Sequence, residues 1–239
     1  MILAAGKGTR LGDLTTKFPK PLLPIGDEPV LVHTLRWLRH HLITEIAINL
    51  HHEPEAVTGY LGDGQRYGVH LHYSIEKTLL GTAGALKPLV NFFDEPFVLV
   101  YGDVLTNLDL RAMAAFHRQH EAGVTLGLYR VDDPTRCGVV ETDPDGRVQR
   151  FVEKPAPEEV FTDLANSGVY LIEPEILSYI PMNQFYDFGH DLFPKLLRHN
   201  IPLYGFPVGA AYLIDMGTLE TYAQAQADYA QGKLLGGVQ

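Results

Sequence analysis

The chain opens Met1-Ile-Leu3-Ala-Ala5-Gly6-Lys7-Gly8-Thr9-Arg10-Leu11, and Lys17-Phe-Pro-Lys20-Pro21 follows shortly after. Met1 to Ala4 is apolar and reads as the end of a strand. It runs straight into Gly6-Lys7-Gly8, where two glycines let successive backbone N–H groups turn toward one point. Such a nest suits an anion, and Lys7, Arg10, Lys17 and Lys20 surround it with cations. A polyphosphate is the natural guest. A glycine-rich turn with solvated basic residues is the alternative that the loop alone leaves open.

The spacing excludes two familiar phosphate loops. A Walker A loop needs Gly-x-x-x-x-Gly-Lys-Ser/Thr, which is absent. A dinucleotide fingerprint needs Gly-x-Gly-x-x-Gly, whereas Gly6, Gly8 and Gly12 are spaced one residue longer. The second strand, Glu45 to Leu50, does not end in the acid that would hold a ribose. It runs out through Asn49-Leu50-His51-His52.

Outward from the loop, strand and helix alternate. Pro29 to His41 carries Val30, Leu31, Leu35 and Leu38 at helical spacing, a series that Leu42 continues, with Pro29 suited to a first turn. Glu45 to Leu50 reads as a strand, Pro54 to Leu61 as a helix and Val69 to Ile75 as a strand. Thr82 to Phe92 is expected to be helical despite Pro88, which would kink it or sit late in it. Pro96 to Tyr101 is almost wholly apolar, as befits a parallel strand covered on both faces. Leu108 to Ala122 is helical and ends at Gly123. This rhythm predicts a doubly wound, mostly parallel, Rossmann-like α/β sheet.

From Val124 the pattern turns to strands: Val124 to Arg130, Val139 to Thr142, Val148 to Glu153 and Val169 to Ile172, with a turn at Asp143-Pro-Asp-Gly146. Helices are expected near His190 to His199 and Thr218 to Gln231. We read one domain over 1–239, with a half at 1–123 and a smaller, mainly β lobe within 124–239.

Composition sets limits. The 239 residues suffice for a large core, and the net charge of −10 does not invite nucleic acid; the early basic cluster is a local exception. The one cysteine, Cys137, fits a reducing compartment. No apolar run approaches the ~20 residues of a membrane span, so a cytoplasmic protein is expected. A homo-oligomer stays open. The eleven histidines show no zinc spacing and read as structural.

Taken together, the segments resemble the sugar-1-phosphate nucleotidyltransferases, or nucleotide-sugar pyrophosphorylases. After the loop and Pro19-Lys20-Pro21 come Glu76 with Leu80-Gly81-Thr82-Ala83-Gly84, then Tyr101-Gly102-Asp103 and Cys137-Gly138-Val139-Val140. Phe151-Val152-Glu153-Lys154-Pro155, Asn166-Ser167-Gly168, Asp191-Leu192-Phe193-Pro194 and Asp215-Met216-Gly217-Thr218 follow in the family's order. The resemblance implies the nucleotide-diphospho-sugar transferase type of fold with a sugar-binding lobe. Many members carry a C-terminal hexapeptide-repeat domain; none is expected here.

The resemblance also implies roles. Arg10, Lys20 and Asp103 would be catalytic. Leu3, Ala5, Gly6, Gly8, Thr9, Arg10, Lys20, Glu76, Gly81 and Thr82 would bind nucleotide. Gly138, Glu153, Lys154 and Asn166 would bind the sugar phosphate, and Asp103 and Asp215 would hold Mg²⁺. Two hard carboxylates facing phosphate oxygens suit that ion, which keeps waters and takes few protein ligands. Read singly, Asp103 could be a helix-approach residue, Asp215 an N-cap, and Glu153-Lys154 an ordinary exposed ion pair. Cys137 stands where the family often has tyrosine. Gly189-His190 stands where many members have Glu-Lys, so sugar contacts are not carried over there.

Glu76 bears on the base. Guanine presents two adjacent donors, N1–H and N2–H₂, which one carboxylate accepts together, whereas thymine and uracil present a single donor between acceptors. A carboxylate therefore leans toward GTP. Separately, Leu80-Gly-Thr-Ala-Gly84 and Arg136-Cys-Gly-Val-Val140 resemble the mannose- or heptose-1-phosphate guanylyltransferases, a resemblance that implies mannose 1-phosphate as the partner. The alternative for the side chain is solvent, beside Lys77. For the whole chain the alternatives are thymidylyl or uridylyl transfer to glucose 1-phosphate, guanylyl transfer to a heptose 1-phosphate, a cytidylyltransferase for an alcohol phosphate, or a catalytically silent nucleotide-sugar-binding regulator.

Overall fold

Apolar strands that carry few side-chain hydrogen bonds need cover on both faces, and the chain supplies it by folding helices between them. The computed structural model describes residues 1–234, without the side chains of Thr16 and Lys17; of the four early cations, Lys17 thus lies outside the described residues. The chain divides into two units that interleave in sequence. The first comprises Met1–Thr78, Val100–Asp109 and the described residues from Ala210; the second comprises Leu79–Leu99 and Leu110–Gly209.

In the first unit, strand Ile2–Leu3 lies between two parallel neighbours. Ile2 pairs with Ile48 and with Val100, and Leu3 with Asn49 and with Tyr101. Strand Glu45–Leu50 continues the parallel ladder to His70–Ile75. Helix Val30–His40 buries Val30, Leu31, Leu35 and Leu38 as its spacing predicts. Trp37 is buried with them and donates its indole N–H to the Leu108 carbonyl at 2.9 Å. Leu42, read as part of the same apolar series, instead lies past the helix end with a left-handed backbone and is exposed. The last helix, Leu219–Ala230, adds Ala225 to a cluster with Ile25, Val30, Leu105 and Met216, edged by Tyr212, Tyr222 and Tyr229.

The second unit is strand-rich and mostly antiparallel. Its order is Leu203–Pro207, Val124–Arg130, Leu164–Ile172, Gly138–Thr142, Val148–Glu153, with only the first pair parallel. Phe151, Tyr170, Phe188 and Phe193 pack ring against ring with centroids 5.0–5.4 Å apart. Such pairs contribute about 0.5–1.5 kcal/mol each beyond the area that they bury. The α/β class is therefore as expected, with parallel strands in one unit and a β-rich second unit.

Two expectations need correction. Thr82–Phe92 is not one helix: a single α-turn, Gly81–Gly84, gives way to a 3₁₀ stretch, Lys87–Phe92. Pro88 has no N–H to continue the ladder and its ring crowds the preceding turn, which explains the break. Strand Leu164–Ile172 is longer than the apolar Val169–Ile172 read from the sequence, because Leu164, Ala165 and the polar Asn166 also pair in the ladder, ahead of a bulge between Asn166 and Tyr170. No helix among the described residues is long and apolar enough to cross a membrane.

Candidate active site

The glycine loop takes the conformation that its sequence demands. Gly8 is left-handed at φ 69°, and the turn Thr9–Leu11 that follows is pinned by fully buried Leu11. Gly6, Lys7, Thr9 and Arg10 stay exposed, while Ala4 and Ala5 are buried. The Ala4 N–H donates to Asn49 Oδ1 at 2.9 Å, and Asn49 Nδ2 donates to Glu76 Oε1 at 2.8 Å. Glu76 is buried and does not point to solvent beside Lys77. Asn49 thus ties the root of the loop to the carboxylate expected to read the base. Its sequence signal was an amide at the end of an otherwise apolar strand.

Lys20 sits on a short 3₁₀ turn between Pro19 and Pro21, and its ammonium forms an ion pair with Asp103 across 83 positions of sequence. Asp103 follows the strand end and leads into another strand, Val104–Thr106, rather than a helix. That short strand pairs antiparallel with Leu213–Asp215, setting Asp215 opposite Val104; the Met216 N–H donates to the Asp103 carbonyl at 2.9 Å. Two carboxylates far apart in sequence are brought together by three residues of ladder. Asp215 is not the cap of the last helix, since Thr218 accepts from the Thr221 N–H in that position.

Arg10 completes the group. A Cβ on Gly217 would come within 2.7 Å of Arg10 Nη2 and 2.8 Å of Asp215 Oδ1, so the guanidinium and the carboxylate both lie close against the Gly217 backbone. Asp215 keeps open surface, yet its carboxylate is crowded by protein. Burial pushes its pKa up, the Asp103 charge pushes it further, and Lys20 and Arg10 pull it down. Beside the loop, Gly6, Lys7, Lys20 and His52 line a small recess. His52, read as structural in the sequence, thus faces the phosphate loop; its pKa is lowered by burial and by the neighbouring His51 and Lys7.

The acids fit a divalent cation. Like charges at Asp103 and Asp215 oppose each other, and a bound cation relieves that repulsion. Among the described residues no cluster of three or more His, Cys, Asp or Glu side chains could hold a metal ion. Two carboxylates are the donor set expected of Mg²⁺ that keeps waters and phosphate oxygens.

The second unit gathers the other predicted residues. Gly138 pairs with Glu153 across two antiparallel strands. The Lys154 ammonium lies 3.6 Å from Glu153 Oε1 and is largely exposed, and its backbone is left-handed at φ 48°. A non-glycine residue held in this region costs about 1–3 kcal/mol. Glu153 is mostly buried, and burial raises its pKa against the pull of Lys154. Asn166 turns its amide inward: Nδ2 donates to the Tyr170 hydroxyl at 2.6 Å and Oδ1 accepts from the Gly168 N–H at 3.1 Å. The Thr82 hydroxyl donates to Asp187 Oδ2 at 2.7 Å and accepts from the Phe188 N–H at 2.9 Å, and Gly81 begins the same turn.

Comparison with known proteins bears on this arrangement. The nucleotidyl transferase family model matches residues 1–232. UTP–glucose-1-phosphate uridylyltransferase of Synechocystis is 41% identical over 94% of this chain and 61% of its own length. Mannose-1-phosphate guanylyltransferase of Mycobacterium tuberculosis is 36% identical over 97% of this chain and 64% of its own length. The chain thus spans somewhat over three fifths of these relatives. Among solved structures, a Bacillus anthracis protein provisionally assigned as a glucose-1-phosphate thymidylyltransferase, in complex with sucrose, superposes with a TM-score of 0.85. It is 29% identical, covering 95% of this chain and 92% of that one. A glycine loop, a cation–carboxylate cluster and a match along nearly the whole chain lead to one conclusion: this protein belongs to the nucleotidyl transferase family.

Proposed function

We propose that the chain transfers a nucleotidyl group from a nucleoside triphosphate to a sugar 1-phosphate, giving a nucleotide sugar and pyrophosphate. The observation that carries this reading is the cluster of Arg10, Lys20, Asp103 and Asp215 beside the glycine loop. A phosphate oxygen of the sugar phosphate attacks the α-phosphorus, and the bond to the bridging oxygen of the β-phosphate breaks. That nucleophile is already anionic, so no general base is required. Catalysis is then positioning and charge stabilisation, which cations supply and a nucleophilic triad does not.

In this reading the Gly6 and Gly8 segment offers backbone N–H groups to the triphosphate. Arg10 and Lys20 hold the charge that grows on the departing pyrophosphate. Leu3, Ala5, Thr9, Gly81 and Thr82 contact the nucleotide, and Gly138, Glu153, Lys154 and Asn166 the sugar phosphate. Mg²⁺ held by Asp103 and Asp215 would neutralise phosphate oxygens and polarise the phosphorus. The single cysteine agrees with a cytoplasmic enzyme.

For the base we favour GTP, with mannose 1-phosphate as acceptor. Glu76 is buried and held by Asn49, a setting in which a carboxylate can accept both guanine donors. UTP with glucose 1-phosphate is the second reading, supported by the 41% identity to the Synechocystis uridylyltransferase. The test is pyrophosphate release from five nucleotides against several sugar 1-phosphates with Mg²⁺. Turnover with GTP and mannose 1-phosphate is expected. Nucleotide-sugar binding without turnover of any pair would make the protein a silent regulator and overturn the enzymatic reading.

A further inference from the structure

Leu80–Gly84 and Gln184–Asp191 are about a hundred positions apart and are laced together by hydrogen bonds. The Tyr186 N–H donates to the Leu80 carbonyl at 2.8 Å, and the Tyr186 carbonyl accepts from Ala83 and Gly84 at 2.9 Å each. At the centre, Thr82 Oγ1 donates to Asp187 Oδ2 and accepts from the Phe188 N–H. The other Asp187 oxygen, Oδ1, accepts from the N–H groups of Gly189 at 2.9 Å and His190 at 3.2 Å. Asp187 therefore divides its oxygens, one to the loop and one to the turn that begins at Phe188.

That turn presses on the sugar-side acid. A Cβ on Gly189 would come within 2.5 Å of Glu153 Oε2, so the Gly189 backbone lies directly against the carboxylate next to Lys154. Phe188 and Phe193, on either side, are fully buried in the aromatic cluster with Tyr170 and Phe151. Packing anchors the far ends of the turn, and Asp187 sets its entry. One carboxylate thus joins Thr82 to the backbone that lies against Glu153.

We propose that Thr82 and Asp187 form a positioning pair that couples the nucleotide-side loop to the sugar-phosphate residues, so that each substrate raises the enzyme's affinity for the other. The inference rests on the nucleotidyltransferase reading above. Linkage makes the effect reciprocal. Loss of the pair on either side must weaken the use of both substrates, beyond the one that the altered residue faces.

Steady-state kinetics of Thr82→Val, Thr82→Ser, Asp187→Asn and the Thr82→Val/Asp187→Asn double variant test it. Thr82→Val keeps shape and deletes the hydroxyl; it should raise KM for sugar 1-phosphate as well as for nucleotide by at least about 5-fold, the low end of ordinary coupling. Asp187→Asn should do the same, Thr82→Ser should restore both values, and the double variant should be no worse than the weaker single one. Effects confined to nucleotide KM, or additive effects in the double variant, would overturn the pair. Hydrogen exchange at Phe188, Gly189 and His190 judges the link without turnover: faster exchange in Thr82→Val supports it and unchanged exchange refutes it. If the wild type releases no pyrophosphate with any substrate pair, the functional reading fails, and the exchange result still decides whether the pair holds the turn.

Discussion

Two of the lysine–carboxylate pairs in this molecule are built in opposite ways. Lys20 and Asp103 are 83 positions apart, with side chains only 14% and 19% exposed. Lys154 and Glu153 are chain neighbours, and Lys154 is 61% exposed and 3.6 Å from its partner. Shielded charges interact through a lower effective dielectric, so the first pair is strong, and costly to desolvate. An exposed pair is worth about 0–1 kcal/mol, so Lys154 can leave Glu153 for a phosphate at little cost. The lesson concerns division of labour: a fixed cation suits charge that appears only in the transition state, whereas a loosely held one suits ground-state capture.

The comparison breaks most readily at Asp103. Asp103→Asn keeps size and removes the charge that pairs with Lys20 and faces Asp215. A fall in kcat of at least ~10²-fold is expected, the scale of losing one strong transition-state contact. An Asn variant that melts like the wild type and keeps near-normal kcat would show that the shielded pair only holds the fold.

Glu76 sharpens the account next. With its carboxylate buried and bonded to Asn49, exchange to Gln should narrow the preference for GTP over UTP or dTTP. An unmatched buried polar group costs about 1–3 kcal/mol, or roughly 5- to 150-fold in selectivity. The check is kcat/KM for the three nucleotides in both proteins. A wild type that prefers UTP would move the assignment toward its Synechocystis relative.

Much of this was legible before any coordinates. Asp215 is marked only by the family resemblance, since the short strand Leu213–Asp215 that carries it has no clear local signal. The glycine loop and the apolar strands, by contrast, announce themselves because short-range chemistry specifies them. Lys154's left-handed backbone does not, since lysine carries no local preference for it. Nor does the Thr82–Asp187 link, which joins residues 105 positions apart. Pro88 carries a local signal for the break after Gly84, which the apolar pattern of Thr82–Phe92 masks. His52 was indistinguishable from any loop histidine until the fold set it beside Gly6 and Lys7.

Smaller effects probe the looser pair. Lys154→Gly should be more stable than Lys154→Ala by about 1 kcal/mol, because alanine keeps the left-handed penalty and glycine escapes it. Urea unfolding of the two variants measures the gap, and equal midpoints would mean that the backbone relaxes. Glu153 should act through pH. Its folded pKa is raised by burial, so the folded state holds its proton to higher pH than the unfolded chain does. Its contribution to stability therefore falls as pH rises from the ordinary carboxylate range through that raised value. Glu153→Gln should melt higher than wild type at pH 8, with the difference shrinking toward pH 4; a constant difference would contradict burial as the cause.

The contrast between the two lysines is tested most directly by steady-state kinetics of Lys20→Ala and Lys154→Ala side by side, with nucleotide and sugar 1-phosphate varied in turn. The account predicts that Lys20→Ala lowers kcat, while Lys154→Ala mainly raises KM for sugar 1-phosphate and leaves kcat close to wild type. Lys154→Ala acting only on nucleotide KM, or Lys20→Ala leaving kcat intact, would contradict it.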